Sequence, residues 1–223
     1  MAEALTSIKS SDDNIEIVNQ LLLPHTTEWL AIDTIEQAHD AIKTMKVSIA
    51  RPVPLHTPSA NPVLVQQIRG APAIASLAAL SVSQHLTRAL RANPPPEFLA
   101  SPQALEAHVA PILDFLVTAR PTAVNLGAAT RRLSRTLQSS LEAGKDAHAI
   151  AEDLIEDGGQ IAAEDVGRNK VMAKWGGDWL VEEVKGKGGS GDGLNVLTVC
   201  NTGSLATSVR MPPLFSSIPR WLT

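Results

Sequence analysis

Tyrosine is absent from the 223 residues, and aromatic side chains make up only 3% of the chain. The core must therefore be built from Ala, Leu, Val and Ile. The single cysteine, Cys200, excludes an intrachain disulfide framework and any multi-cysteine metal site, and it fits a reducing compartment. His25, His39, His56, His85, His108 and His148 show no metal-ligand spacing. No stretch approaches about 18 uninterrupted apolar residues, which excludes a transmembrane helix. Asp12, Asp13 and Glu16 stand where a signal peptide would carry its apolar core. Neither sign of charge dominates: 19 basic against 23 acidic residues give a net charge of −4 and no footprint for nucleic acid or an anionic membrane. What remains is an ordinary globular composition, 44% apolar and 19% charged, with room for one large domain or two small ones. Together these features read as a soluble intracellular protein.

Along the chain, Ile15 to Leu23 is a short apolar stretch ended by Pro24, either a strand or an amphipathic helix. Asp33 or Thr34 can cap a helix with Ile35, Ala38, Ile42 and Met45 on one side, and Thr34 with Gln37 fits a capping box. Ser48 to Gln67 holds Pro52, Pro54, Pro58 and Pro62, a spacing that forbids a helix and disrupts a central strand. It reads as a surface excursion or an insertion. Helical periodicity then takes over. Ala71–Pro72 opens a helix to about Arg91, with Ile74, Leu77, Ala78, Val82 and Leu86 inward. Ser101–Pro102 opens another, with Leu105, Val109, Ile112, Leu113 and Leu116 inward and Pro111 predicting a kink or a later start. Pro121 begins a third, carrying Leu126, Ala129, Leu133, Leu137 and Leu141 and ending at Gly144. A fourth runs from Asp146 to about Met172, with Ile150, Leu154, Ile161 and Val171 inward and Gly158–Gly159 weakening its middle. Gly176 to Gly193 reads as a glycine-rich linker or exposed loop, with a short element at Trp179–Val184. Leu194 to Val199 is the clearest strand, and no second strand follows to pair with it.

Three stretches could carry chemistry. The strand runs into Cys200-Asn201-Thr202-Gly203-Ser204, a turn toward a helix start, whose amides could hold an anion and lower a neighbouring thiol's pKa. Free cysteines are more often buried and inert. Arg69-Gly70-Ala71-Pro72 sets an arginine before a glycine and a helix start, suited to gripping phosphate; read alone, a solvated surface arginine beside a plain turn is the favoured explanation. Arg120-Pro121-Thr122-Ala123-Val124-Asn125 repeats the pattern, with Thr122 and Asn125 as ordinary caps or as ligands. Glu164, Asp165 and Asn169 share roughly one helix face, either lining a pocket or facing solvent. Gly186 to Gly191 lacks the preceding strand and the Gly-Lys-Ser/Thr ending of a phosphate loop and reads as a flexible linker.

Taken together, IRGAPAIA (68–75), ARPTAVNL (119–126) and LTVCNTGSLAT (197–207) resemble the signatures of the methylthioribose-1-phosphate isomerase family, in that family's order. AGKDAHAIAEDL (143–154), AAEDVGRNK (162–170) and IVNQLLLP (17–24) resemble it as well, so the likeness spans roughly residues 14–47 and 68–208. It implies an α/β protein: a helical N-terminal domain over residues 1–185 with an insertion at 48–67, a linker at 186–193, and the first strand of a Rossmann-like domain over 194–223. It implies an aldose–ketose isomerase of methionine salvage that converts 5-methylthioribose 1-phosphate to 5-methylthioribulose 1-phosphate. By the family pattern Arg69, Gly70, Ala71 and Arg120 bind the sugar phosphate and Cys200 sits in the reaction centre. Neither a metal nor an organic cofactor is implied. A homodimer is expected, in the cytoplasm and by extension the nucleus, without nucleic-acid or membrane partners.

Two departures from the family stand out. The Pro-rich Ser48–Gln67 intervenes before the Arg69 motif, and the likeness ends near Ser208, before the part that carries the acid/base aspartate. The expectation is a truncated chain with little or no isomerase activity. Two alternatives share the scaffold: a non-catalytic regulatory subunit of a translation initiation factor's exchange complex, and a ribose-1,5-bisphosphate isomerase.

Overall fold

The computed structural model describes residues 7–11, 14–20, 22, 25–43 and 70–189. Arg69, Cys200, the Pro-rich Ser48–Gln67, Met45 and the strand expected at Leu194–Val199 lie outside the described residues. The described part is mostly helical. Three short strands come first: β1 (Ile8–Ser10), β2 (Ile15–Val18) and β3 (Trp29–Ile32), paired antiparallel in that order. Ile17 faces Ile8 across one ladder and Leu30 across the other. Ile15 and Ile17 of β2 and Ile32 of β3 are buried on the face that packs toward the helices, and Val18, at the end of β2, is buried on the other face as well. The open choice at Ile15–Leu23 thus resolves to a strand over Ile15–Val18, while Leu21 and Leu23 lie outside the described residues. Its partners β1 and β3 have three and four residues, too short for alternation to show.

The helix α1 (Ile35–Lys43) begins with the expected capping box: Gln37 donates its backbone N–H to Thr34 Oγ1 at 3.2 Å, and Thr34 N–H donates back to Gln37 Oε1 at 3.3 Å. Arg88 then fixes this junction to the helical layer, donating to the Asp33 carbonyl at 2.6 Å and to its carboxylate at 3.0 Å.

The hub is α2 (Ala71–Arg91), against which α5, α4 and α1 all pack. Its inward residues Ile74, Leu77, Ala78, Val82 and Leu86 are at most 1% exposed, as the periodicity requires. A 3-10 turn, Glu97–Leu99, leads to α3 (Pro102–Thr118), which is capped by Ser101 and runs through Pro111 without a later start. The next helix, α4 (Val124–Glu142), starts three residues after Pro121, because Arg120–Ala123 closes a turn in which Ala123 N–H bonds to the Arg120 carbonyl at 2.9 Å.

The largest departure is α5 (Ala147–Gly186), 40 residues long and capped by Asp146. The helix continues through Gly158–Gly159 and well into the expected glycine-rich linker. Val171, expected inward, is exposed. Three i,i+4 ion pairs, Glu164–Arg168, Lys174–Asp178 and Glu183–Lys187, support the exposed half. No helix among the described residues is long and apolar enough to cross a membrane.

α2 and α5 come into close contact at Gly158. A Cβ there would stand 2.9 Å from the Ala79 carbonyl oxygen and against the Ser83 hydroxyl. Ser83 Oγ donates to Ala79 O within α2 and to Ile155 O of α5, both at 3.2 Å, so the crossing is hydrogen-bonded as well as packed. Gly159 has nothing within 4 Å of its Cβ position. The two glycines should therefore respond oppositely. Gly158→Ala costs ~1–3 kcal/mol in overpacking, only partly offset by helix propensity. Gly159→Ala gains up to about 1 kcal/mol. Thermal melts should show a lower Tm for the first and an unchanged or higher Tm for the second. Equal shifts would contradict this crossing.

Three histidines are built into the helical layer. His39 stacks on Phe115 with centroids 4.0 Å apart, and its Nε2 lies 3.0 Å from Thr118 Oγ1. That hydroxyl already donates to the Phe115 carbonyl, so the imidazole N–H is the donor. His85 and His108 share one hydrogen bond between their Nε2 atoms at 2.8 Å, and Phe98 stacks on His108. Burial, first of all, holds all three below the ordinary value of 6.5, and His108 depresses His85 further. The unfolded chain therefore takes up protons near pH 6.5 while the folded chain resists them. Stability is full above that pH and falls as pH drops toward the depressed folded values. Melts at pH 5.5 should give a lower Tm than melts at pH 7.5, before carboxylates titrate. A flat profile would contradict the buried, neutral imidazoles.

Candidate functional site

A cavity of about 310 Å³ opens where the first turns of α2 and α4 face the middle of α5. From α2 come Pro72, Ala75 and Ser76, from α4 Asn125 and Arg132, and from α5 Asp165 and Arg168. The three stretches 68–75, 119–126 and 162–170, far apart in sequence, thus each contribute lining residues to one space.

The caps distinguish the two helix starts at this cavity from the others. Ser101 caps α3, Asp146 caps α5, and Thr34 caps α1. Gly70 and Ala123, which precede α2 and α4, have no side chain able to cap, and neither first turn holds an acidic residue. A helix start without an anionic or hydroxyl cap keeps its amide donors and the positive end of its dipole available to a ligand. Two such starts border one cavity here.

Arg132 forms the fixed part of the wall. Its Nε donates to Asp157 Oδ1 at 2.7 Å, its Nη1 to Glu164 Oε2 at 2.8 Å and its Nη2 to Gln160 Oε1 at 3.3 Å. Thr136 Oγ1 donates to the other oxygen of Asp157 at 2.8 Å. The hydrogen bond to Glu164 is the first cause holding the guanidinium protonated beyond its ordinary range, and Arg132 in turn holds the Glu164 carboxyl below its own. Arg168 has a looser hold: its guanidinium meets Glu164 Oε2 at 3.2 Å on the exposed side. Asn169 donates to the Asp165 carboxylate at 3.0 Å and to its carbonyl at 2.8 Å, which orients that acid at the wall. The site thus combines two guanidinium groups, a carboxylate, an amide and a hydroxyl around helix starts, a set suited to a polar, anionic ligand carrying hydroxyl groups.

The sequence-derived candidates fare unevenly. Gly70 is buried at the N-cap of α2 with φ −71°, and its carbonyl receives the Ile74 N–H at 2.9 Å. Ala71 is the first residue of that helix, next to cavity-lining Pro72. Arg120 is half-buried in the turn between α3 and α4, and is not among the cavity's lining residues. Of Glu164, Asp165 and Asn169, Asp165 lines the cavity and the other two act on its wall. Asn125 lines it too. The reading from sequence passed over Arg132, although it lies seven residues, two turns, beyond Asn125 on the same face. Among the described residues, no group of three or more His, Cys, Asp or Glu could hold a metal ion.

Residues 67–212 match the model of the Initiation factor 2 subunit family. The chain is 64% identical over 206 residues to a methylthioribose-1-phosphate isomerase of Laccaria bicolor, covering 92% of this chain and 48% of that protein. It is 61% identical over 204 residues to another of Postia placenta, covering 92% and 47%. Among solved structures, the 5-methylthioribose 1-phosphate isomerase of Pyrococcus horikoshii superposes with a TM-score of 0.64 at 22% identity, covering 92% of this chain and 46% of the other. The translation initiation factor eIF-2B, subunit delta, of A. fulgidus gives 0.61 at 29% identity, covering 92% and 47%. The chain therefore spans about half the length of the relatives it matches.

Proposed function

The chain belongs to the Initiation factor 2 subunit family, and on that premise we propose that it carries the helical part of an isomerase interconverting 5-methylthioribose 1-phosphate and 5-methylthioribulose 1-phosphate. The observation that carries this reading is the cavity: stretches resembling the isomerase signatures enclose it, and it offers phosphate two uncapped helix starts. The high identity to the Laccaria bicolor and Postia placenta isomerases supports the isomerase over the regulatory subunit, whose support is the weaker likeness to the A. fulgidus chain.

In this reading the starts of α2 and α4 receive the phosphate, with Arg69, Gly70 and Ala71 as its ligands and Arg120, in the turn before α4 and outside the cavity lining, as a second anion ligand by the family pattern, while Asp165 and Asn125 meet sugar hydroxyls. The phosphate on C1 blocks simple opening of the sugar to an aldehyde. Ring opening needs a proton delivered to the ring oxygen, and the isomerisation then moves hydrogen between C1 and C2, which keeps the overall formula unchanged. Both steps require an acid/base group in a site shielded from water. By the family resemblance Cys200 belongs at that reaction centre.

Isothermal titration calorimetry of the purified chain with 5-methylthioribose 1-phosphate provides the test. The expected result is saturable binding, weakened about tenfold by Arg120→Gln through loss of a charge-assisted phosphate contact, with helix content unchanged. Absence of binding, or binding indifferent to that substitution, would contradict the assignment.

A further inference from the structure

The second half of α5 carries a stripe of large apolar residues that nothing among the described residues covers. Val171, Met172, Trp175 and Trp179 are 57%, 67%, 69% and 60% exposed, and helical spacing keeps them on one side of α5 over about 12 Å. Leu180, Val181 and Val184, on the opposite side, are half-buried. Apolar side chains of this size, clustered and exposed, mark a docking surface. We propose that its occupant is the same stripe of a second copy of this chain, the two α5 helices crossing antiparallel about Trp175; this does not rest on the isomerase reading.

Symmetry and charge complementarity carry that choice. Arg168 and Glu182 stand the same distance from Trp175, about two turns before and two turns after it, so both lie on the face of the stripe at its two ends. Val171 and Trp179 stand one turn to either side. The order Arg168, Val171, Trp175, Trp179, Glu182 thus has the same spacing read from either end. A two-fold axis at Trp175 sets Val171 against Trp179 of the other copy and Arg168 against its Glu182, and each contact occurs twice. Parallel pairing would instead bring arginine to arginine and glutamate to glutamate. Glu182 is exposed, and the Arg168 side chain, which also borders the cavity, is 66% exposed. Arg168 meets Glu164 of its own helix through Nη1 at 3.2 Å, which leaves its other donors for a second carboxylate. The flanking charges lie beside the stripe and are paired along α5, Lys174 with Asp178 and Glu183 with Lys187. The open apolar surface of the four side chains comes to roughly 500 Å² per copy and about 1,000 Å² in the pair, the lower limit for a specific interface.

Sedimentation velocity on the full chain, from about 1 to 100 μM, tests it. The expected result is a shift from monomer to dimer across that range. Trp175→Asp should keep the chain monomeric throughout, with helix content unchanged by circular dichroism. Arg168→Glu and Glu182→Arg each set like charges together at both ends of the contact, and each should weaken the dimer about tenfold. Mixed in equal amounts, the two variants again present opposite charges at both ends, and a heterodimer as tight as the original should form. That rescue replaces no apolar residue, so it decides the matter even if Trp175→Asp loses helix. A chain monomeric at every concentration, as it would be if another part of the same chain covered the stripe, would overturn the proposal. So would a dimer indifferent to these substitutions, or single variants that the mixture fails to rescue.

Discussion

Everything in the helical layer depends on how closely α2 and α5 can approach. At Gly158 a hydrogen takes the place of a side chain, and the Ala79 carbonyl and Ser83 hydroxyl of α2 come up against the α5 backbone. Small residues on the facing side, Ala75, Ala78 and Ala79, make α2 thin where it crosses. In a chain so poor in aromatics, this is how a tight core is obtained: closely spaced backbones take the place of large rings. The crossing also fixes the distance between the start of α2 and the middle of α5. That distance is one dimension of the cavity.

The second dimension comes from α4, held to α5 by Arg132. Its guanidinium bridges Asp157 and Glu164, one nearly buried and one exposed, so the ion pairs fix the angle of the wall as well as neutralising the buried acid. Within that frame the capping pattern gives the cavity its polarity. Ser and Asp stand before the helices that do not open on it, and Gly and Ala stand before the two that do. Leaving two helix starts uncapped costs local stability, and the chain accepts that cost at the place where an anionic ligand would supply the missing partner.

Much of this fold was legible in the residues. The stripes of α2, α3 and α4 recur at helical spacing, and Pro72, Pro102 and Thr34–Gln37 mark starts by known chemistry. The sheet was not legible, because β1 and β3 are too short to show a period and gain their stability from pairing with β2. The far half of α5 was hidden for a different reason: Gly176–Gly177 and a high polar content resemble a linker, while its ion pairs act between residues four apart. The cavity was legible only in pieces. Two of the stretches suggested helix starts and the third a helix face, but the three-way meeting depends on packing angles that no single stretch encodes, and Arg132 stayed invisible because its partners lie 25 and 32 residues away.

Phosphate titration followed by backbone amide chemical shifts tests the polarity of this cavity most directly. Shifts confined to the starts of α2 and α4, around Ala71–Ala75 and Val124–Ala128, with the capped starts of α3 and α5 unmoved, are the predicted result. Equal shifts at all four starts, or none at α2 and α4, would contradict it.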